Sequence, residues 1–280
     1  MTRVLVLMSR LSDYMMNCMV CWQETEGVEL HLVRRKIDSD APFRFADSPD
    51  GLKLYQREDF DSKKLQSLMR EIDPTLIICF GWMDKDYLSL VRARSSGCKA
   101  VMTMDNQWLG TARQRLGLFW SRFRLLPIFD YVWVPGTRQR SFALRLGFSE
   151  DQIREGLYVA NATNFNPIWE GVKTEGPVKR LVFTGRYVKE KGLETLWDAF
   201  ISYHERREST LELWCIGVGV LYSEKPDHPK IRHLGFVQPS DLSEKLAGGG
   251  IFILPSTFEP WGLVVQEFAL AGFPLVLSRN

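Results

Sequence analysis

The sequence predicts an α/β fold of two parallel-sheet domains, and three observations carry that expectation. Short apolar, β-rich runs alternate with helix-periodic segments along almost the whole chain, as when strands are joined through helices that cover a parallel sheet. The alternation breaks once, over the turn-rich stretch NATNFNPIWEGVKTEGP (161–177), and restarts at KRLVFTG (179–185). The 280 residues also exceed one typical domain.

The elements follow in order. Strands are expected at RVLVLM (3–8), VELHLV (28–33), TLIICF (75–80), KAVMTM (99–104) and YVWVP (131–135), with helices near 12–24, 61–72, 84–96, 110–125 and 137–146. The second series runs from KRLVFTG through a helix to LELWCIG (211–217), IRHLGF (231–236), GIFILP (250–255) and PLVLS (274–278). Its helix is the clearest in the chain: Leu193, Leu196, Trp197, Phe200 and Ile201 repeat at i, i+3, i+4, i+7, i+8. The expected organisation is therefore a first domain over 1–163, a linker over 164–177 and a second domain over 178–280. An open α/β domain should add a covering helix after LVLSRN, so the second domain reads as C-terminally incomplete.

Composition narrows the classes of function. Lysine plus arginine number 36 against 34 acids, a net charge of +2 that does not mark a nucleic-acid binder. Five scattered cysteines argue for a reducing compartment, and the lone C-x-x-C of Cys18 and Cys21 lacks the further ligands of a zinc site. The opening MTRVLVLMSR has too short an apolar run for a signal peptide and reads as a strand. No apolar stretch reaches the ~18 residues of a membrane span. The expected location is cytoplasmic, free or at the inner face of a membrane. Asn161-Ala162-Thr163 spells a sequon but fits no other sign of secretion.

Two clusters in the second half could carry chemistry. In TGRYVKEKG (184–192) a strand ends at Gly185, Arg186 follows, and Lys191 stands at the start of the amphipathic helix. Strand ends of such sheets open on a ligand crevice, helix N-termini attract anions, and an arginine with a lysine suits a diphosphate. In STFEPWGLVVQE (256–267), Gly262, Leu263 and Val264 start a helix whose free N–H groups suit a phosphate. Glu259 lies before that start and Glu267 inside it among apolar residues, where vicinal hydroxyls would satisfy a carboxylate. Taken singly, Arg186 and Lys191 read equally well as solvated surface charges, and either acid alone reads better as a helix-dipole partner (Glu259) or a carboxylate reaching to water (Glu267).

GRYVKEKGLETLWDAF, IRHLGFVQPSDL and PSTFEPWGLVVQEFALAGFPLV resemble, in order and spacing, the donor half of retaining GT-B glycosyltransferases of family 4, including its E-x7-E motif. ANATNF sits where that family joins its two domains. The resemblance implies two Rossmann-like domains facing a cleft and a nucleoside-diphosphate sugar as donor, with no cofactor and no metal. It also implies roles. Arg186 and Lys191 neutralise the diphosphate, with Gly185 at their strand end. Backbone near Gly262, Leu263 and Val264 holds the distal phosphate. Glu267 takes the ribose hydroxyls, Glu259 those of the transferred sugar, and Phe236 and Val237 line the base pocket. Relatives pack a final helix back across the first domain, so a chain without that segment is expected to bind donor poorly or be inactive.

The first half follows that family only in outline. SRLSDYMMN lacks the glycines that commonly follow the first strand, and VMTMDNQW carries Asp105 and Asn106 where many relatives have a histidine. Asp105 is a candidate proton acceptor or orienting group, alternatively a turn cap. Trp82 is a candidate acceptor-sugar platform, alternatively a core tryptophan. Asp38-Ser39-Asp40 and Asp84-Lys85-Asp86 spell the D-x-D of metal-dependent glycosyltransferases; the first falls in a polar loop and Asp84 reads as a helix cap. RQRLGLFWSRFRLL (113–126) sets four arginines among Leu, Phe and Trp, with no acid from 106 to 129. That stretch reads either as a peripheral membrane contact, near which a lipid-linked acceptor would be met, or as a helix packed on its sheet. The function expected is sugar transfer to a glycan or lipid-linked acceptor in bacterial surface-polysaccharide synthesis. A nucleotide-sugar epimerase, a sugar phosphorylase and a non-catalytic nucleotide-sugar module stay open as alternatives.

Overall fold

The computed structural model describes residues 2–36, 42–45, 51–175 and 179–279, and the chain forms two compact units. The first comprises 1–37 and 45–159, the second 38–44 and 160–280.

The first unit holds a seven-stranded, wholly parallel sheet: β1 (Arg3–Met8), β2 (Glu29–Arg34), β3 (Leu52–Gln56), β4 (Leu76–Phe80), β5 (Lys99–Thr103), β6 (Tyr131–Trp133) and β7 (Ile153–Arg154), in the order β3-β2-β1-β4-β5-β6-β7. The inner strands are continuous apolar runs because both their faces are covered. Leu5, Leu7, Ile77, Cys79, Ala100, Met102 and Val132 face a core shared with α2 (Ser62–Ile72), α3 (Lys85–Arg92) and α5 (Thr137–Leu146). Val4, Val6, Met8, Leu30 and Leu32 face α1 (Asp13–Glu26), whose Met15, Met16 and Met19 close the opposite side. On the same side Trp22 of α1, with Leu76, Ile78, Val101, Tyr131, Trp133 and Arg154, lines a hollow of about 420 Å³. Cys18 and Cys21 lie on α1 as free thiols.

Caps explain where several helices begin. Asp61 accepts from Lys64 N at 2.8 Å before α2, and Thr111 accepts from Gln114 N at 3.3 Å before α4 (Ala112–Arg124). Asp84 Oδ1 accepts from Asp86 N and Tyr87 N before α3. Asp84 and Asp86 are also held by Arg57, and Asp84 by Arg35. This D-x-D is thus a cap within an ion-pair network, while Asp38-Ser39-Asp40 lies outside the described residues.

The second unit holds a five-stranded parallel sheet: β8 (Arg180–Thr184), β9 (Glu212–Ile216), β10 (Ile231–Gly235), β11 (Ile251–Leu254) and β12 (Leu275–Leu277), in the order β10-β9-β8-β11-β12. Helix α7 (Leu193–Arg206) buries Leu193, Leu196, Trp197 and Phe200 against it, with Ile201 at the margin. Helices α8 (Leu242–Lys245) and α9 (Leu263–Leu270) complete the unit, and Phe268 stacks on Phe252 with ring centroids 4.2 Å apart.

The structure departs from expectation at 164–177. Residues 162–175 form α6 (Ala162–Glu175), despite Pro167 within it. Asn161 Oδ1 caps its start by accepting from Thr163 N at 3.1 Å. Phe165 and Ile168 are buried in the second unit's core, so tertiary packing overrides the turn-forming composition. The division between the units falls at 159/160 rather than inside a linker. The same cap places the Asn161 side chain in the interior, 7% exposed.

Candidate functional site

In a parallel α/β sheet, ligands settle at the carboxyl ends of the strands where the strand order reverses. In the second sheet that point lies between β8 and β11: from β8 the chain steps to β9 and β10 on one side, then returns to β11 and β12 on the other. Gly185, Arg186 and Lys191 follow β8, and Glu259 and Gly262 follow β11. The fold therefore brings two segments some seventy residues apart to one point.

The contact there is direct. Lys191 Nζ lies 2.5 Å from Glu259 Oε2, and the two side chains are only 14% and 20% exposed. Ser256 Oγ, on a buried residue, donates to the same carboxylate oxygen at 3.1 Å, and Ser278 Oγ in turn donates to Ser256 O at 2.5 Å. Thr257 N donates to Glu190 O at 2.8 Å, which ties the two loops together through their backbones. Arg186 is exposed and makes no ion pair among the described residues, so its guanidinium is available to an anion.

Backbone approach shapes the floor. Gly217 follows β9 at φ +130°, and a Cβ there would fall 2.0 Å from Gly185 O. Gly192 joins the Lys191 turn to α7 at φ +67°, and a Cβ there would fall 2.3 Å from Pro255 O. Only glycine fits such contacts at positive φ. Gly217 and Ser256 were not among the expected site residues. The G-x-G of Gly217 and Gly219 after a strand, and a serine three residues before Glu259, are the sequence signals that could have found them.

The remaining second-unit residues take the places their sequence positions suggest. Gly262 caps the start of α9, beginning at Leu263 and Val264, and Glu267 lies half-buried on its fifth residue. Phe236 and Val237 follow β10 on the same edge of the sheet, half-buried. Phe236 meets Phe43 edge-on at 5.3 Å, and Gln238 Nε2 donates to Pro42 O at 2.8 Å.

In the first unit, Asp105 and Asn106 follow β5. Asp105 is half-buried; burial pushes its carboxyl above the usual carboxylate range, while a hydrogen bond from the Tyr158 side chain works in the other direction. Asn106 is exposed. Gln139 Nε2 donates to Asp105 O at 3.2 Å and fixes the loop. Trp82 follows β4 and packs half-buried against the first unit's core. The histidines serve structure: His31 lies between Glu29 and Tyr55, His204 reaches Leu211 O, and His233 meets the Tyr187 hydroxyl at 3.0 Å.

A carboxyl raised by burial opposes folding while it is ionised, so its cost is present at neutral pH and fades as pH falls below its unfolded-state value. Asp105→Asn is therefore expected to raise the melting temperature by a few degrees at neutral pH and to lose that gain in acid. Thermal melts at the two pH values check this; an equal gain at both would exclude desolvation as the cause.

Two units of parallel strands with covering helices, and a charged site at the switch point of the second, define the architecture of GT-B glycosyltransferases. The fold is similar over the full chain to sucrose-phosphate synthase from Thermosynechococcus elongatus, with a TM-score of 0.69, 16% identity and 82% of that chain covered. It is similar likewise to HepE of Anabaena, solved with UDP and glucose, with a TM-score of 0.68, 12% identity and 81% of that chain covered. Residues 178–280 match the family model described as Glycosyl transferases group 1. A stretch of 112 residues, 36% of this chain, is 30% identical to an uncharacterised glycosyltransferase of Methanocaldococcus jannaschii. That match spans 27% of the relative's length.

Proposed function

We propose that the chain is a retaining, metal-independent glycosyltransferase of family 4 that moves a sugar from a nucleoside-diphosphate donor to a glycan or lipid-linked acceptor. Bacterial surface-polysaccharide synthesis is the setting that best suits such an acceptor. The observation that carries this reading is the Lys191–Glu259 pair bridging the loops after β8 and β11, beside the exposed Arg186. The HepE structure with UDP and glucose makes a UDP-sugar the first donor to try.

The chemistry follows from charge. As the bond between the anomeric carbon and the diphosphate oxygen breaks, negative charge grows on the diphosphate. Fixed cations beside it stabilise that transition state more than the ground state. Arg186 offers two donors and Lys191 a compact charge. The arriving diphosphate competes with Glu259 for Lys191, and the released carboxylate accepts hydrogen bonds from hydroxyls of the transferred sugar. Glu267 takes the ribose hydroxyls. The acceptor oxygen attacks the face that the diphosphate leaves, and its proton passes to the departing phosphate oxygen. Configuration is then kept without a protein nucleophile.

Release of UDP or GDP from a donor panel, with and without glycan acceptors and with EDTA, tests the proposal. Acceptor-dependent release that survives EDTA is expected. Acceptor-independent conversion of the donor sugar would indicate an epimerase, sugar phosphate formed with free phosphate a phosphorylase, and binding without turnover a non-catalytic module. Loss of turnover in EDTA would overturn the metal-free mechanism.

A further inference from the structure

Helix α4 carries apolar side chains on two sides, and only one of them faces the protein. Leu118 packs on the first unit's core, Ser121 is buried with Oγ 2.7 Å from the carbonyls of Leu118 and Leu146, and Leu125 just beyond the helix is buried. Leu116, Phe119, Trp120 and Phe123, at i, i+3, i+4 and i+7, form a second stripe that is 66%, 62%, 54% and 64% exposed. Phe119 touches both Trp120 and Phe123, with centroids 5.7 and 5.6 Å apart, so the stripe is one continuous patch. Soluble surfaces rarely leave such a patch uncovered.

Charge indicates what covers it. Arg113, Arg115, Arg122 and Arg124 are all exposed on the same helix, and no acid occurs from 106 to 129. Arg124 lies over the Trp120 ring, 5.5 Å from its centroid. Aromatic residues flanked by arginines match the boundary between acyl chains and anionic headgroups. A second copy of this chain, docked stripe to stripe, would instead bring its arginines against these four.

We propose that α4 is a docking surface for an anionic lipid bilayer, with Leu116, Phe119, Trp120 and Phe123 entering the acyl boundary and the four arginines meeting the headgroups. This attachment is peripheral: among the described residues no helix is long and apolar enough to cross a membrane. It is independent of the donor chemistry. The loop of Asp105 and Asn106 runs directly into α4, pinned by Leu109 N donating to Gln114 Oε1 at 2.7 Å and Gln114 Nε2 donating to Gln107 O at 2.8 Å. A membrane-embedded acceptor would therefore be met beside those residues.

Co-sedimentation with vesicles of phosphatidylcholine alone, or with phosphatidylglycerol added, tests the surface without donor or acceptor. Binding only to the anionic vesicles, weakened by salt, is expected. Arg122→Gln with Arg124→Gln should lower partitioning by about 30-fold. Leu116→Ser, Phe119→Ser and Phe123→Ser together should abolish it while leaving the melting temperature unchanged. Should that triple variant not fold, quenching of wild-type fluorescence by brominated lipid, lost in Trp120→Phe, replaces it. No phosphatidylglycerol-dependent binding, or binding indifferent to these substitutions, overturns the proposal. Self-association abolished by the triple variant, without vesicle binding, assigns the stripe to a second copy.

Discussion

Lys191→Ala is expected to lower kcat for donor turnover by about 10²–10³-fold, the cost of removing one fixed group from developing oxyanion charge. The reasoning starts from position: Lys191 is held at the switch point of the second sheet, mostly withdrawn from water, with its ammonium 2.5 Å from Glu259. A charge placed before the reaction needs no reorganisation during it. Lys191→Arg is not expected to restore activity, because the larger planar guanidinium does not fit the geometry set by Glu259 and Ser256.

Stability and catalysis separate cleanly in the same experiment. Among the described residues, Lys191→Ala leaves the Glu259 carboxylate with Ser256 as its one hydrogen-bond donor, at a cost of about 1–2 kcal/mol. Adding Glu259→Gln removes the stranded charge and should return most of that stability. It should not return turnover, since it supplies no cation to the diphosphate. If the double variant regained activity along with its melting temperature, Lys191 would be a structural partner of Glu259 and the assigned catalytic role would fail.

What the sequence revealed and what it hid divide along a physical line. Fully buried strands announce themselves as apolar runs, and β1, β4 and β8 lie within a residue or so of RVLVLM, TLIICF and KRLVFTG. The stripe of α7 is legible because a helix on a sheet must repeat its apolar residues every three or four positions. The edge strands β3 and β7 gave no such signal: LKLYQ alternates with polar residues, and Ile153–Arg154 is only two residues long. Helix α6 was hidden because Phe165 and Ile168 are stabilised by contacts with distant residues that outweigh local propensity. The site behaves alike. Gly185, Arg186, Lys191, Glu259 and Glu267 stand out as residue types at strand and helix ends. The pairing of Lys191 with Glu259 does not, because it depends on β11 lying beside β8. For α4 the composition was plain, but only packing shows that Ser121 faces inward while Phe119 and Phe123 do not.

The glycine that packs β9 against β8 yields the largest expected effect on stability. Gly217→Ala should destabilise the second unit by about 3–5 kcal/mol and weaken donor binding with it. The new Cβ would fall 2.0 Å from Gly185 O at a backbone φ of +130°, so it meets both a clash and an unfavourable conformation. Neither strand can yield easily: Gly185 N donates to Ile216 O at 3.0 Å, and Gly217 N donates to Gly235 O at 2.7 Å. Any relief must displace Gly185 and therefore Arg186, which follows it directly and is assigned to the diphosphate. Gly97→Ala is the control, because a Cβ there meets nothing within 4 Å and the backbone needs no positive φ; its effect should stay within about 0.5 kcal/mol. Thermal melts and titration calorimetry with UDP measure both consequences. A Gly217→Ala protein that melts with the wild type would mean that the ends of β8 and β9 do not approach as described, and the platform for Arg186 would lose its physical basis.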